Sequence, residues 1–270
     1  MTTPIFVVDA FTSARFAGNP AAVCLLDAPA DEAWMQAVAT EMRHSETAFV
    51  SPRDDGDHDL RWFTPTVEAD LCGHATLATT HVLGETGRVA GSAEMRFHTR
   101  SGALGGRRTP DRRIEIDLPA DPCTTADVPP ALIEALGVTP VASARGRIGW
   151  LLELDDEAAV RAVRPDHAAL ARERASVVVT APATTTTSGP AIDFVSRYFA
   201  PYWGIDEDPV TGAAHCALAP YWAERRQRRE LVGYQASARG GIVGVRMGPT
   251  AERVLLTGET VTVLRGELAD

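Results

Sequence analysis

Asp70-Leu-Cys-Gly-His-Ala-Thr76 and Asp206-Glu-Asp-Pro-Val-Thr-Gly-Ala-Ala-His-Cys216 are built alike. Each follows a β-rich stretch and runs into a small-residue apolar helix, expected over Ala75–Leu83 in the first and Ala213–Tyr221 in the second. A glycine at such a join lets a ligand approach the backbone closely. The amides of the first helical turn, which have no partner inside the helix, then offer an anion site. Two such joins in one chain point to two similar halves gripping one small acid.

Outward from these joins the pattern is of short strands with one long helix per half. Strands are expected at Ile5–Val8, Ala21–Leu26, Thr47–Val50, Leu60–Phe63, Glu94–Thr99 and Arg113–Leu118. Asp31 is a helix N-cap, followed by Trp34, Met35, Val38 and Met42 at helical spacing. A Pro-, Thr- and Asp-rich stretch, Pro119–Pro130, marks a boundary between an N-terminal half, 1–118, and a C-terminal half, 119–270. Beyond it the plan partly repeats: a short helix at Ala131–Leu136, strands at Trp150–Leu154, Val177–Thr180 and Asp193–Tyr198, and a surface loop at Ala181–Pro190. The second helix ends in the charged run Glu224–Glu230. Strands at Gly241–Val245, Val254–Thr257 and Val261–Leu264 close the chain. The fold class is α+β with two similar domains, and the active site is expected between them.

With 270 residues, 45% of them hydrophobic, the chain can bury a substantial core. A net charge of −10 argues against nucleic acid and acidic membrane surfaces as partners. Every cation is arginine, which excludes a Schiff-base lysine and lysine-anchored pyridoxal phosphate. No apolar run is long enough to span a bilayer, and the N-terminus lacks a signal-like pattern, so a cytoplasmic location is expected. Cys24, Cys72, Cys123 and Cys216 form neither a disulfide framework nor a zinc pattern. No metal-ligand spacing, Walker, GxSxG or supported GxGxxG arrangement occurs, so the expected chemistry uses no metal and no cofactor.

Glu46 stands immediately before an apolar strand, where burial would raise its pKa toward the range of a general base; the alternative is a surface carboxylate at a turn. His74 follows Gly73 at a helix start, a position that favours neutral imidazole, either contacting substrate or capping. Asp208 sits among Asp206 and Glu207, to bind substrate or to cap a helix. His215 is expected to pack or cap. Arg197 stands to meet a substrate carboxylate or to form a structural salt bridge. Cys72 is a thiol at a helix N-terminus, reactive or merely buried.

Several ordered motifs together resemble the PhzF family of phenazine biosynthesis-like proteins. They are Val8-Asp-Ala-Phe11, Phe16-Ala-Gly-Asn-Pro-Ala-Ala-Val23, Ser45-Glu-Thr-Ala-Phe49, Phe63-Thr-Pro65 with Glu68, Leu71-Cys-Gly-His-Ala-Thr76, Phe199-Ala-Pro201 with Gly204, and Glu207-Asp-Pro-Val-Thr-Gly212. The resemblance implies a diaminopimelate epimerase-like fold: two pseudo-symmetric domains, each with a barrel-like sheet around a central helix, with the last strand able to return to the N-terminal half. It also implies a homodimer and a cofactor-independent isomerase of small unsaturated or cyclic carboxylates or amino acids, serving secondary metabolism. Catalytic roles fall on Glu46, His74 and Asp208. Substrate binding falls on Asn19, Ser45, Cys72, Gly73, Thr211, Gly212 and Ala213. A family serine is replaced by Ala213, which removes one hydroxyl donor. Cys72 matches one thiol of two-cysteine epimerases, but the second position falls near Pro209, which has no acid–base group. A racemase pairing Glu46 with Cys72, and a non-catalytic small-acid binding protein, are the alternatives.

Overall fold

The computed structural model describes residues 2–184 and 190–269. Half of the loop expected at Ala181–Pro190, residues 185–189, therefore lies outside the described residues, and its first two residues, Ala181 and Pro182, instead end a strand. The chain forms two compact units, Met1–Leu118 with Thr257–Asp270 and Pro119–Leu256.

In the first unit the elements are β1 (Thr3–Ala10), β2 (Asn19–Leu25), α1 (Glu32–Met42), β3 (Thr47–Pro52), β4 (His58–Phe63), β5 (Glu68–Ala69), α2 (Gly73–Glu85), β6 (Met95–Thr99), β7 (Gly102–Arg108) and β8 (Ile114–Pro119). Antiparallel pairs join β1 to β2, β3 to β4, β6 to β7 and β7 to β8, while β2–β3 and β4–β6 are parallel. Helix α2 is buried along nearly its whole length, from Gly73 to Leu83, because its side chains are small enough for the sheet to wrap it. Its buried threonines return their hydroxyls to the backbone one turn earlier: Thr76 to Cys72, Thr79 to Ala75 and Thr80 to Thr76. No buried hydroxyl on this helix is therefore left without an acceptor. Helix α1, capped by Asp31, packs Met35 and Ala39 on the sheet's other face, against Cys24, Phe49 and Phe63.

The second unit runs β9 (Thr124–Thr125), α3 (Pro130–Leu136), β10 (Ala142–Gly146), β11 (Gly149–Glu153), α4 (Glu157–Ala162), α5 (His167–Arg172), β12 (Val177–Pro182), β13 (Phe194–Ala200), a 3-10 turn (Pro201–Trp203), β14 (Ile205–Asp208), α6 (Gly212–Arg226), β15 (Glu230–Gln235), β16 (Gly241–Met247) and β17 (Arg253–Gly258). Strand alternation splits its interior in two. Val177, Val179, Val195 and Phe199 face a core shared with α3, α4 and α5. On β12, Thr180 instead accepts a hydrogen bond from the Trp222 indole of α6 at 3.0 Å.

The last strand, β18 (Thr260–Leu268), belongs to the first unit because it pairs with β1 from Thr3 to Ala10. His81 of α2 fastens it there through both ring nitrogens, to Thr260 at 2.8 Å and Thr262 at 2.9 Å.

Pro220 lies inside α6, which nevertheless continues past Tyr221 to Arg226, within the charged run Glu224–Glu230 where the helix is expected to end. Proline has no N–H for the carbonyl four residues earlier. That carbonyl, of Cys216, accepts instead from the Asp121 amide at 3.0 Å. The Asp121 carboxylate in turn accepts from the amides of Arg147 and Ile148 at 3.0 and 2.8 Å.

Strands β7 and β15 were not expected, and glycine explains both. A β-carbon on Gly106 of β7 would collide with Thr80 of α2. One on Gly233 of β15 would stand 2.5 Å from the Phe194 ring and 3.2 Å from His215 of α6. Close approach of a helix demands the residue that weakens the strand signal.

Candidate acid–base site

In the first unit, β2 and β3 run parallel, so Asn19 and Glu46 arrive at the same end of the sheet, before the Ala22–Thr47 register pair. Arg43, in the left-handed region at φ 54°, ends α1 and turns the chain toward Glu46. Asn19 is held by pairing with Ala10 and is fully buried. Cys72 precedes α2 in extended conformation and its side chain does not cap the helix.

His74, buried at 3% exposure, joins these residues. Its Nδ1 is 3.2 Å from the Asn19 amide nitrogen and 3.5 Å from the Cys72 sulfur; its Nε2 is 3.4 Å from Glu46 Oε2. An amide nitrogen only donates, so Nδ1 accepts and the ring proton sits on Nε2, facing the carboxylate. Burial, with the nearby His44 acting the same way, pushes the His74 pKa down to about 3, so the ring is neutral at pH 7. The neutral ring and the Glu46 carboxylate thus stand side by side, 3.4 Å apart. Ser45 lies half-buried next to Glu46, and Gly73 is the first residue of α2.

In the second unit, Asp208 ends β14 and is buried. Its Oδ2 accepts the Thr211 hydroxyl at 2.5 Å. Thr211 therefore does not spend its hydroxyl on capping α6, which opens with Gly212 and the half-buried Ala213. Gln235, fully buried on β15, closes the turn: its Oε1 accepts from the Thr211 amide at 2.9 Å, and its Nε2 donates to the Asp208 carbonyl at 2.7 Å. Sequence reading missed Gln235. Its only signal was a polar residue at an inward position of an alternating strand.

Arg197 resolves to the structural alternative. Its guanidinium grips Glu207 at 2.7 and 2.9 Å and also donates to the Val160 and Val163 carbonyls. His215 packs: Nδ1 donates to the Thr211 carbonyl at 2.8 Å, and burial pushes its pKa down to about 4.

One donor atom from each of Glu46, Cys72 and His74 lies within 4.8 Å of the others, a sulfur–nitrogen–oxygen set of the kind zinc accepts. Asp55, Asp57 and His98 form a second, more exposed group, in which His98 already meets Asp57 at 2.7 Å. A depression of about 630 Å³ on the first unit contains none of the candidate residues. Arg61, Arg100 and Glu68 on its wall already pair with one another.

Comparison with known proteins agrees with this architecture. The family model described as phenazine biosynthesis-like protein, PhzC-PhzF, matches residues 8–266. A protein of Halalkalibacterium halodurans named as an uncharacterized isomerase is 46% identical over 270 residues, 99% of each chain. The crystal structure of a PhzF family phenazine biosynthesis protein from Enterococcus faecalis superposes with a TM-score of 0.90 at 37% identity over 100% of both chains. A probable proline racemase from Agrobacterium radiobacter matches in fold alone, with a TM-score of 0.64 at 12% identity over 99% of this chain and 93% of that one. The α+β, diaminopimelate epimerase-like fold expected from the sequence is thus the fold observed. The chain belongs to the PhzC-PhzF family of phenazine biosynthesis-like proteins.

Proposed function

We propose that this protein is a cofactor-independent isomerase that moves a proton within a small unsaturated or cyclic carboxylate or amino acid. The observation that carries the reading is the carboxylate of Glu46 standing 3.4 Å from the N–H of a buried, neutral His74 at the start of α2. Glu46 removes a proton beside the conjugated system and returns it at another carbon. His74 and Asp208 orient the substrate and stabilise the shifted charge. The amides that open α2 take the substrate's anionic group, and Asp208 accepts a hydrogen bond from a donor group of the substrate. Positioned proton transfer of this kind contributes roughly 10²–10⁴-fold in rate. Membership in the family and the isomerase name of the 46% identical relative support the reaction class. By the same proposal the protein acts in secondary metabolism as a homodimer.

The test is NMR-monitored proton exchange in D₂O over a panel of cyclic dienes bearing carboxylates, cyclic imino acids and amino acids. Deuterium is expected at a new carbon with wild type and not with Glu46→Gln, and activity is expected to survive dialysis against a chelator. Full activity in Glu46→Gln would refute the mechanism. Cys72, 3.5 Å from the same ring, favours a second reading, racemisation by unlike partners. Loss of chirality in the product, abolished by Cys72→Ala, would select it.

A further inference from the structure

The turn between β14 and α6 contains a chain of hydrogen bonds whose direction follows from the atoms involved. The Thr211 amide can only donate and the Asp208 carbonyl can only accept. Gln235 meets the first at 2.9 Å and the second at 2.7 Å, so its oxygen and nitrogen are assigned without ambiguity. The same nitrogen lies 3.2 Å from the Thr211 hydroxyl oxygen and must donate to it. The hydroxyl proton is then directed to its other partner, Asp208 Oδ2, at 2.5 Å. Asp208 Oδ2 is the acceptor of this bond. All three side chains are buried, with Gln235 at 0% exposure, so solvent does not supply a competing donor to Gln235.

We infer that Gln235 is a positioning residue that, acting through the Thr211 hydroxyl, fixes Asp208 in one orientation as a hydrogen-bond acceptor toward substrate. The inference rests on the reading that Asp208 serves the substrate. Gln235 does not itself touch substrate. Its effect reaches the site only by setting which way the Thr211 hydroxyl points. A glutamate at position 235 would accept that hydroxyl instead and turn the proton away from Asp208. A methionine would keep the length of the side chain and abolish the donation.

Two arms test this. The first needs no substrate: the Asp208 carboxyl ¹³C signal, assigned by its loss in Asp208→Asn, is compared in H₂O and D₂O for an isotope shift from the Thr211 hydroxyl. The shift is expected in wild type and Thr211→Ser, and its loss is expected in Thr211→Val and Gln235→Glu. Absence of the shift in wild type, or its persistence in Gln235→Glu, overturns the relay whatever the protein catalyses. The second arm uses the exchange assay above. Gln235→Met and Thr211→Val are each expected to lower kcat/KM about tenfold, the scale of one lost hydrogen bond. Because they act in series, the double variant should lose no more than the worse single one, and Thr211→Ser should restore the rate. Losses that multiply, or wild-type kcat/KM in Gln235→Met, overturn the inference. A wild-type protein that exchanges no proton in any substrate sinks the isomerase reading alone, and the isotope shift still decides the relay.

Discussion

His215 is expected to make the protein acid-labile by a calculable amount. The ring is fully buried, with Nδ1 bonded to the Thr211 carbonyl and Nε2 without a hydrogen-bond partner, near Phe194 and the bare face of Gly233. A proton on Nε2 would place charge in apolar surroundings, and burial lowers the pKa from 6.5 to about 4 even though the carbonyl pulls the other way. The unfolded chain takes up a proton as pH falls through 6.5, whereas the native chain does not until about pH 4. Stability from this group is thus complete above pH 6.5 and is lost as pH falls toward 4, at about 1.4 kcal/mol per unit. By pH 5 the loss is about 2 kcal/mol, and the similarly lowered His74 adds its own. His215→Asn keeps a donor for Thr211 and removes the titration. It also opens a cavity costing about 1–3 kcal/mol at pH 7. In urea denaturation the gap between wild type and His215→Asn should narrow by about 2 kcal/mol between pH 7 and pH 5. A gap constant within about 0.5 kcal/mol would refute the reasoning, because burial would then impose no cost on protonating this ring.

Two further substitutions probe packing and charge. In Gly233→Ala the new methyl meets Phe194 at 2.5 Å, and the ring is stacked on Trp222 at 5.8 Å and has nowhere to retreat; a loss of about 1–3 kcal/mol is expected in urea denaturation. Arg197→Lys cannot reproduce the two-pronged grip on Glu207 together with the Val160 and Val163 carbonyls, and should lower stability by about 1–3 kcal/mol by the same measurement.

The central helices were legible because their signal is local: a glycine, then small apolar residues, after a β-rich stretch. The strand through Gly102–Arg108 was not, because Gly106 in its middle admits Thr80, a contact made across the fold. Helices α4 and α5 had a readable cue in Asp156 and Asp166, whose side chains accept from the Ala159 and Ala169 amides, but each is only 6 residues long. Neither shows the sustained periodicity on which helix recognition depends. At the site, each residue type suggested its chemistry, but no local pattern could put Asn19, Glu46, Cys72 and His74 around one imidazole. Arg197 could be read two ways until Glu207 appeared on the neighbouring strand. Gln235 gave only the faint cue of a polar residue at an inward strand position, since its partners lie on a turn reached only through the register of β13 with β14 and β15.

The proline within α6 has a consequence for anyone dividing this chain. It leaves a vacancy in the ladder of a buried helix, and the residue that fills it, Asp121, lies just past the junction between the two units. Through its carboxylate the same residue also anchors the turn between β10 and β11. The connecting segment therefore behaves as a key seated in the second unit. A fragment that begins at Pro119 carries its own key. One trimmed to the first strand at Thr124 leaves a carbonyl stranded in the middle of its central helix.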